Sequence, residues 1–157
     1  MTQMRPMVTA IALGGLVAGT IDIGAAMLIT GRDLIYILHA IASGLLGKAS
    51  FDGGTAAAIL GLGLQWAMSL IIAAIYGVAA LKLPWLRRAW IAAGLAYGVV
   101  VFVVMNYVVV PLSAVGHAPH FTTASLLKNL AAMLLFGLIV AVFARAPSAA
   151  QTITQPG

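Results

Sequence analysis

Asp22 is one of only three acidic residues among 157, and it lies inside an apolar stretch, residues 8–30. A carboxylate at the centre of a membrane-spanning helix costs roughly 2.5–3.5 kcal/mol. A residue placed there faces a partner, a water-filled cavity or a transported ion. Asp22 is therefore the first candidate functional residue, as a group that could bind a cation or take up a proton.

The composition indicates which elements position this residue. Hydrophobic residues make up 63% of the chain and charged residues 7%, and the mean hydropathy is +1.12. Soluble domains carry about 25% charged residues, so this chain must use lipid as its solvent. The sequence predicts one all-α integral membrane domain over residues 1–145, followed by a small, polar, disordered tail at 146–157.

Four apolar runs are long enough to cross a bilayer, which takes roughly 20 helical residues. They predict four transmembrane helices at about 8–30, 54–81, 89–110 and 123–144. None of the six prolines falls inside these spans. Because proline lacks the backbone N–H, its placement at span ends predicts four unbroken helices.

The first outer connection contains a further apolar segment, at about 34–47. Fourteen helical residues cover about 21 Å, which is short of the hydrocarbon core. The segment therefore predicts a short interfacial or re-entrant helix. Arg32, Tyr36, His39 and Ser43 fall on one helical stripe. Two interpretations stay open: a passive helix on the outer surface, or a lid over an outward-facing pocket.

Basic residues predict the orientation. Five of them fall on one side of a four-span chain and two on the other, with Lys128 near the last span. The larger group is Arg5, Lys82, Arg87, Arg88 and Arg145, and the smaller is Arg32 and Lys48. The positive-inside rule then places both termini in the cytoplasm. Basic residues scattered at span ends suit a lipid bilayer as partner and give no nucleic-acid signature.

Depth along the helices predicts polar neighbours for Asp22, which lies about 4–5 Å outward of the midplane. Gln65 falls at the same height, with Ser69 one turn further along. Asn106, Lys128 and Asn129 lie about 8–9 Å outward. These six residues form the predicted ion- or substrate-binding set, with an Asp22–Lys128 ion pair. They could be a structural cluster that fixes helix register, or a polar cavity open to the outer side.

Small residues predict how the helices pack. Gly15 and Gly19 share a face in the first span, and Gly94 and Gly98 share one in the third. This GxxxG spacing lets neighbouring helices approach closely. The four glycines are therefore predicted helix-packing positions, and Asp22 belongs to the same face as the first pair.

Other chemistry finds little support. His117 and His120 have HxxH spacing, but zinc needs three or four ligands and Pro119 lies between them, so metal binding is only a weak alternative. The chain has no cysteine, which excludes thiolate chemistry. No phosphate loop, nucleophile elbow or HExxH motif occurs. We expect no enzymatic activity and no cofactor.

The second half of the chain resembles a known family. The segment from Gly94 to Gly98, then Met105, Pro111-Leu112, Pro119, Phe121 and Phe136-Gly137, is similar to small bacterial four-helix inner-membrane proteins of the YagU-like type. The resemblance implies a bacterial inner membrane and no defined activity. That family carries acidic and histidine residues near the start of its last helix, where this chain has Lys128 and Asn129.

Two functions remain as hypotheses. The first is a non-enzymatic inner-membrane protein with a polar cluster in its outer half, packing with itself or with a larger membrane complex. The alternative is a small oligomeric transporter or channel that uses Asp22 as its proton- or cation-coupling carboxylate.

Overall fold

The computed structural model describes residues 4–152, which form helices and no strand. A 3-10 helix, Gly47–Asp52, precedes the third α-helix, and a π-helical segment, Met105–Val109, joins the fifth to the sixth. The α-helices are α1 (Met4–Thr30), α2 (Leu34–Leu46), α3 (Gly54–Lys82), α4 (Pro84–Arg88), α5 (Trp90–Val104), α6 (Val110–Leu112) and α7 (Thr123–Thr152).

Five helical segments within the described residues are long and apolar enough to cross a membrane, by length and composition. They are Met7–Thr30, Leu34–Asp52, Gly54–Lys82, Trp90–Leu112 and Thr123–Arg145. The predicted all-α class is confirmed, and these helices are those of a multi-pass membrane protein.

Small side chains fill the interior and large apolar ones cover the outside. Ala18, Ala73 and Ala141 are each 1% exposed, whereas Leu28 is 87% and Ile59 66% exposed. Lipid tails are as apolar as leucine, so helices in a membrane associate through close packing of small residues. This distribution, with small residues inside and large apolar residues outside, fits a chain whose solvent is lipid.

Four long helical units, α1, α3, α5 with α6, and α7, run in alternating directions. Gly15 packs on Leu70 of α3, and Gly77 of α3 packs on Ile11. In the same way Gly94 and Gly98 of α5 lie against the backbone of Leu138 and Leu134 in α7. α7 also packs along α1, while α3 and α5 are the least closely packed neighbours.

We call the end of the bundle that holds Thr30, Gly54 and Thr123 the outer end, and the end with Lys82 and Arg88 the inner end. Towards the inner end the helices share a buried core that includes Tyr76, Leu86, Phe136 and Val140. The outer half is less tightly filled, and α2 packs against it.

α2 lies on the outer halves of α1 and α3. Asp33 caps its first turn by accepting a 2.7 Å hydrogen bond from the Tyr36 N–H. Ile37 and Leu38 join Ile23 of α1 and Ala58 of α3 in a second core. Because α1 ends and α3 begins at the outer end, α2 and the 3-10 helix leave and return to the same end.

The π-helical segment differs from the unbroken third span that the sequence predicted. Pro111 is the second residue of α6, two positions after the end of the π-helical segment. A proline has no N–H for the carbonyl four residues earlier and its ring clashes there, so the preceding turn widens. The helix thus continues past residue 110, with its hydrogen-bond ladder altered from Met105 to Val109.

The last helix extends further than the predicted span. α7 continues to Thr152, whereas the sequence placed the span's end at residue 144 and a disordered tail from 146. Residues 153–157 of that tail lie outside the residues that the structure describes.

The α5–α7 contact predicts a steric effect of Gly98→Ala. A Cβ there would lie 2.8 Å from the Leu134 Cα, so the backbones must move apart. We expect a loss of about 1–3 kcal/mol in the free energy of unfolding in detergent, as for overpacked cores. Gly63→Ala in α3 is the control, because its Cβ would meet nothing within 4 Å. Equal stability of the two variants would contradict this packing.

Candidate functional site

A cavity of about 180 Å³ lies between the four long helical units. Each unit contributes a polar side chain to its wall. These polar residues are Asp22 from α1, Gln65 and Ser69 from α3, Asn106 from the π-helical segment, and Asn129 from α7. The cavity thus brings together five of the six residues that the sequence predicted as a binding set.

Asp22 is held by Gln65. The Gln65 Nε2 donates to the Asp22 Oδ2 at 3.0 Å and also to the Gly19 carbonyl at 3.2 Å. Both side chains are half-buried. The contact depends on the close approach of α1 and α3, because Gly19 lies directly against the Ser69 side chain. The predicted packing glycines therefore lie where they allow the amide to reach the carboxylate.

Each of the two asparagines donates a side-chain N–H to a carbonyl of its own helix. Asn106 Nδ2 donates to the Phe102 carbonyl at 2.9 Å, and Asn129 Nδ2 donates to the Ser125 carbonyl at 2.8 Å. Each amide then keeps its carbonyl oxygen and its second N–H for a ligand. Ser69, which is 2% exposed, adds a hydroxyl to the wall. The polar part of the cavity is consequently rich in acceptor oxygens.

Lys128 does not belong to this cavity, and the predicted Asp22–Lys128 ion pair is not formed. Its side chain is exposed on α7, and among the described residues Asp22 is bonded to Gln65 instead. Adjacent helical residues are rotated by about 100°, since 3.6 residues make one turn. Asn129 faces the cavity, so its neighbour Lys128 is turned away from it.

Sequence reasoning missed the apolar part of the wall. This part includes three methionines and two phenylalanines. Their helical spacing from the polar residues is the feature of the sequence that could have identified them. Phe102 precedes Asn106 by four positions, and Met133 follows Asn129 by four, so each pair shares a helix face. The five side chains are Met68, Phe102, Met105, Met133 and Phe136.

Two tyrosines lie next to the wall of the cavity, on its inner side. Tyr97 donates its hydroxyl to the Ile72 carbonyl at 2.7 Å, and its ring lies 5.1 Å from that of Tyr76, centroid to centroid. Ile72 itself lines the cavity. The two tyrosines bridge α3 and α5, which make few other contacts, and below them the small-residue core begins.

The histidines lie elsewhere. His117 and His120 stack with ring centroids 6.3 Å apart, and His39 is buried beside Gly54, with its Nε2 2.8 Å from the Gly54 carbonyl oxygen. Residues 4–152 contain no group of three or more His, Cys, Asp or Glu side chains that could hold a metal ion. The HxxH pair therefore has no third ligand of those types within the described chain.

Comparisons with known proteins add no relative. No family model, no curated protein and no solved structure matches this chain.

The Asp22–Gln65 contact predicts a measurable coupling. In a double-mutant cycle with Asp22→Leu and Gln65→Leu, we expect a coupling of about 1.5–3 kcal/mol, as for hydrogen bonds to charged groups. The parallel cycle with Asp22→Leu and Lys128→Met should give less than about 0.5 kcal/mol. The free energies come from unfolding in mixed micelles. A larger coupling of Asp22 to Lys128 than to Gln65 would contradict this contact and support the Asp22–Lys128 ion pair.

Proposed function

We propose that this chain is a non-enzymatic, multi-pass protein of the bacterial inner membrane that takes up a proton or small cation at Asp22 from the outer side, as a small transporter. The observation that carries the proposal is the partner of Asp22. A neutral amide holds the carboxylate at the wall of a cavity, and among the described residues no basic side chain pairs with it there. The YagU-like resemblance supplies the bacterial inner membrane.

Four crossings and cytoplasmic termini are part of this proposal. The segment Leu34–Asp52 breaks at Gly47, whose φ is +61°, and its α-helical part has 13 residues, which cover about 20 Å, less than a bilayer core of about 30 Å. Its two ends also leave and rejoin the outer end of the bundle. At the inner end the Arg145 guanidinium lies 4.8 Å from the Trp90 ring centroid. Such basic and aromatic pairs suit the cytoplasmic interface.

The dimensions of the cavity support uptake over a purely structural cluster. Its 180 Å³ is well above the roughly 10–15 Å³ that a single water molecule needs. A structural pair needs no such space, because it is most stable when its polar groups are packed and satisfied. The walls reach Ile29 and Val110, close to the outer ends of α1 and α6, so we place the entrance there.

Transport is supported by the construction of the α5 unit. Asn106 lies in a π-helical segment beside the cavity, and π-bulges occur frequently at functional sites. Transporters commonly bind their ions where a helix departs from regular geometry. A single copy encloses only this small space, so we expect the transporter to act as a homo-oligomer or within a membrane complex.

The cysteine-free sequence permits a direct test of the hydrated cavity. We expect Ala132→Cys, on the cavity wall, to react with a membrane-impermeant methanethiosulfonate added to the outer side of spheroplasts. The matched control is Ala141→Cys in the same helix, which is 1% exposed in the inner core and should not react. Both cysteines should react after unfolding in detergent.

A folded Ala132→Cys protein that is as unreactive as Ala141→Cys would mean that the outer half is dry. The polar residues would then be a structural cluster, and the proposed uptake would be wrong.

A further inference from the structure

The apolar part of the cavity wall carries information beyond cation uptake. Three methionines and two phenylalanines surround the polar residues. Methionine is flexible and polarisable, and it adapts to the shape of a bound apolar group. The faces of aromatic rings attract cations, including alkylated ammonium groups. A bare metal ion would gain little from such a wall.

The polar part of the same cavity defines the charge of its ligand. Asp22 is the one charged side chain among the described residues that line it, and none is basic. Asn106 and Asn129 each donate one amide N–H to a helix carbonyl, and each keeps its carbonyl oxygen as an acceptor for the ligand. The single carboxylate favours one positive charge and disfavours anions.

We infer that the cavity binds a small organic monocation, an alkylammonium whose charged nitrogen lies at Asp22 and whose alkyl groups contact the methionines and phenylalanines. This inference rests on the proposed function and names its ligand class. One carboxylate matches one positive charge, so a divalent ion would keep an unbalanced charge in an apolar surrounding.

Size narrows the class further. The cavity of 180 Å³ is smaller than the roughly 300–1,000 Å³ pockets of drug-sized ligands. A dehydrated alkali ion would fill little of this space. Water would occupy the rest and would contact the methionine sulfurs and the phenylalanine rings. A small quaternary ammonium ion fills it better, and tetramethylammonium is a suitable probe.

Protection of the cavity cysteine from modification tests the inference. Purified Ala132→Cys protein is treated with the small neutral reagent methyl methanethiosulfonate at constant ionic strength. We expect saturating tetramethylammonium chloride to slow the reaction at least tenfold. Sodium or potassium chloride should leave the rate within twofold, and so should tert-butanol, a neutral molecule of similar shape.

Charge removal at two aspartates provides the matched variants. Asp22→Asn should abolish the protection by tetramethylammonium, while the cysteine still reacts with the neutral reagent, which shows that the cavity persists. Asp52→Asn removes the same charge from an exposed position outside the cavity and should leave the protection unchanged.

The outcomes separate the two proposals. A cysteine that does not react at all contradicts the hydrated cavity, and with it the proposed function. A reactive cysteine that sodium or potassium protects as well as tetramethylammonium leaves cation uptake standing and overturns the organic ligand. Equal protection by tert-butanol, or protection that survives Asp22→Asn, also overturns it, because the charge would then play no part.

Discussion

The constraint on which this structure depends is the placement of one carboxylate within an apolar helix bundle. A charge in such surroundings needs hydrogen-bond donors, an opposite charge or water. Asp22 receives one donor, from Gln65, and lines a cavity. The close approach of α1 and α3 at Gly15 and Gly19 makes that donor reachable. The helix packing, the hydrogen bond and the hollow outer half are therefore parts of one arrangement.

The two halves of the bundle are packed differently. In the inner half, alanines and glycines let the helices approach closely, and Tyr76 and Tyr97 fill the gap between α3 and α5. In the outer half the same two helices remain separated and polar side chains meet. A tight inner half below a hollow outer half agrees with the proposed entrance at the outer end. The proposed transport requires such access from one side for its binding step.

Much of this arrangement could be predicted from the sequence, for identifiable reasons. Apolar runs between prolines located the long helices, because lipid demands continuous apolar length. Height along each helix correctly brought Gln65 to Asp22. It failed for Lys128, because height says nothing about the direction in which a side chain points around the helix. Asn129, one residue later, has that direction and lines the cavity.

Two other features depended on tertiary structure. Pro111 marked a helix end in the sequence, but the chain continues as a helix through it by widening the turn before it. Methionines and phenylalanines of the cavity wall look like any other residues of an apolar span. They become distinctive only when their helical spacing is measured from a polar residue on the same face. The sequence alone could not show which helix face lines a cavity, because the spans are apolar on all sides.

Flux into proteoliposomes measures the central claim most directly, namely that Asp22 is a working cation site. We predict that an imposed pH gradient drives uptake of tetramethylammonium, which has no neutral form that could cross the lipid, by the reconstituted wild-type protein. Asp22→Asn should reduce this uptake at least tenfold, and Asp52→Asn should retain it. Uptake at the level of empty liposomes for the wild type, or equal uptake by wild type and Asp22→Asn, would contradict the account.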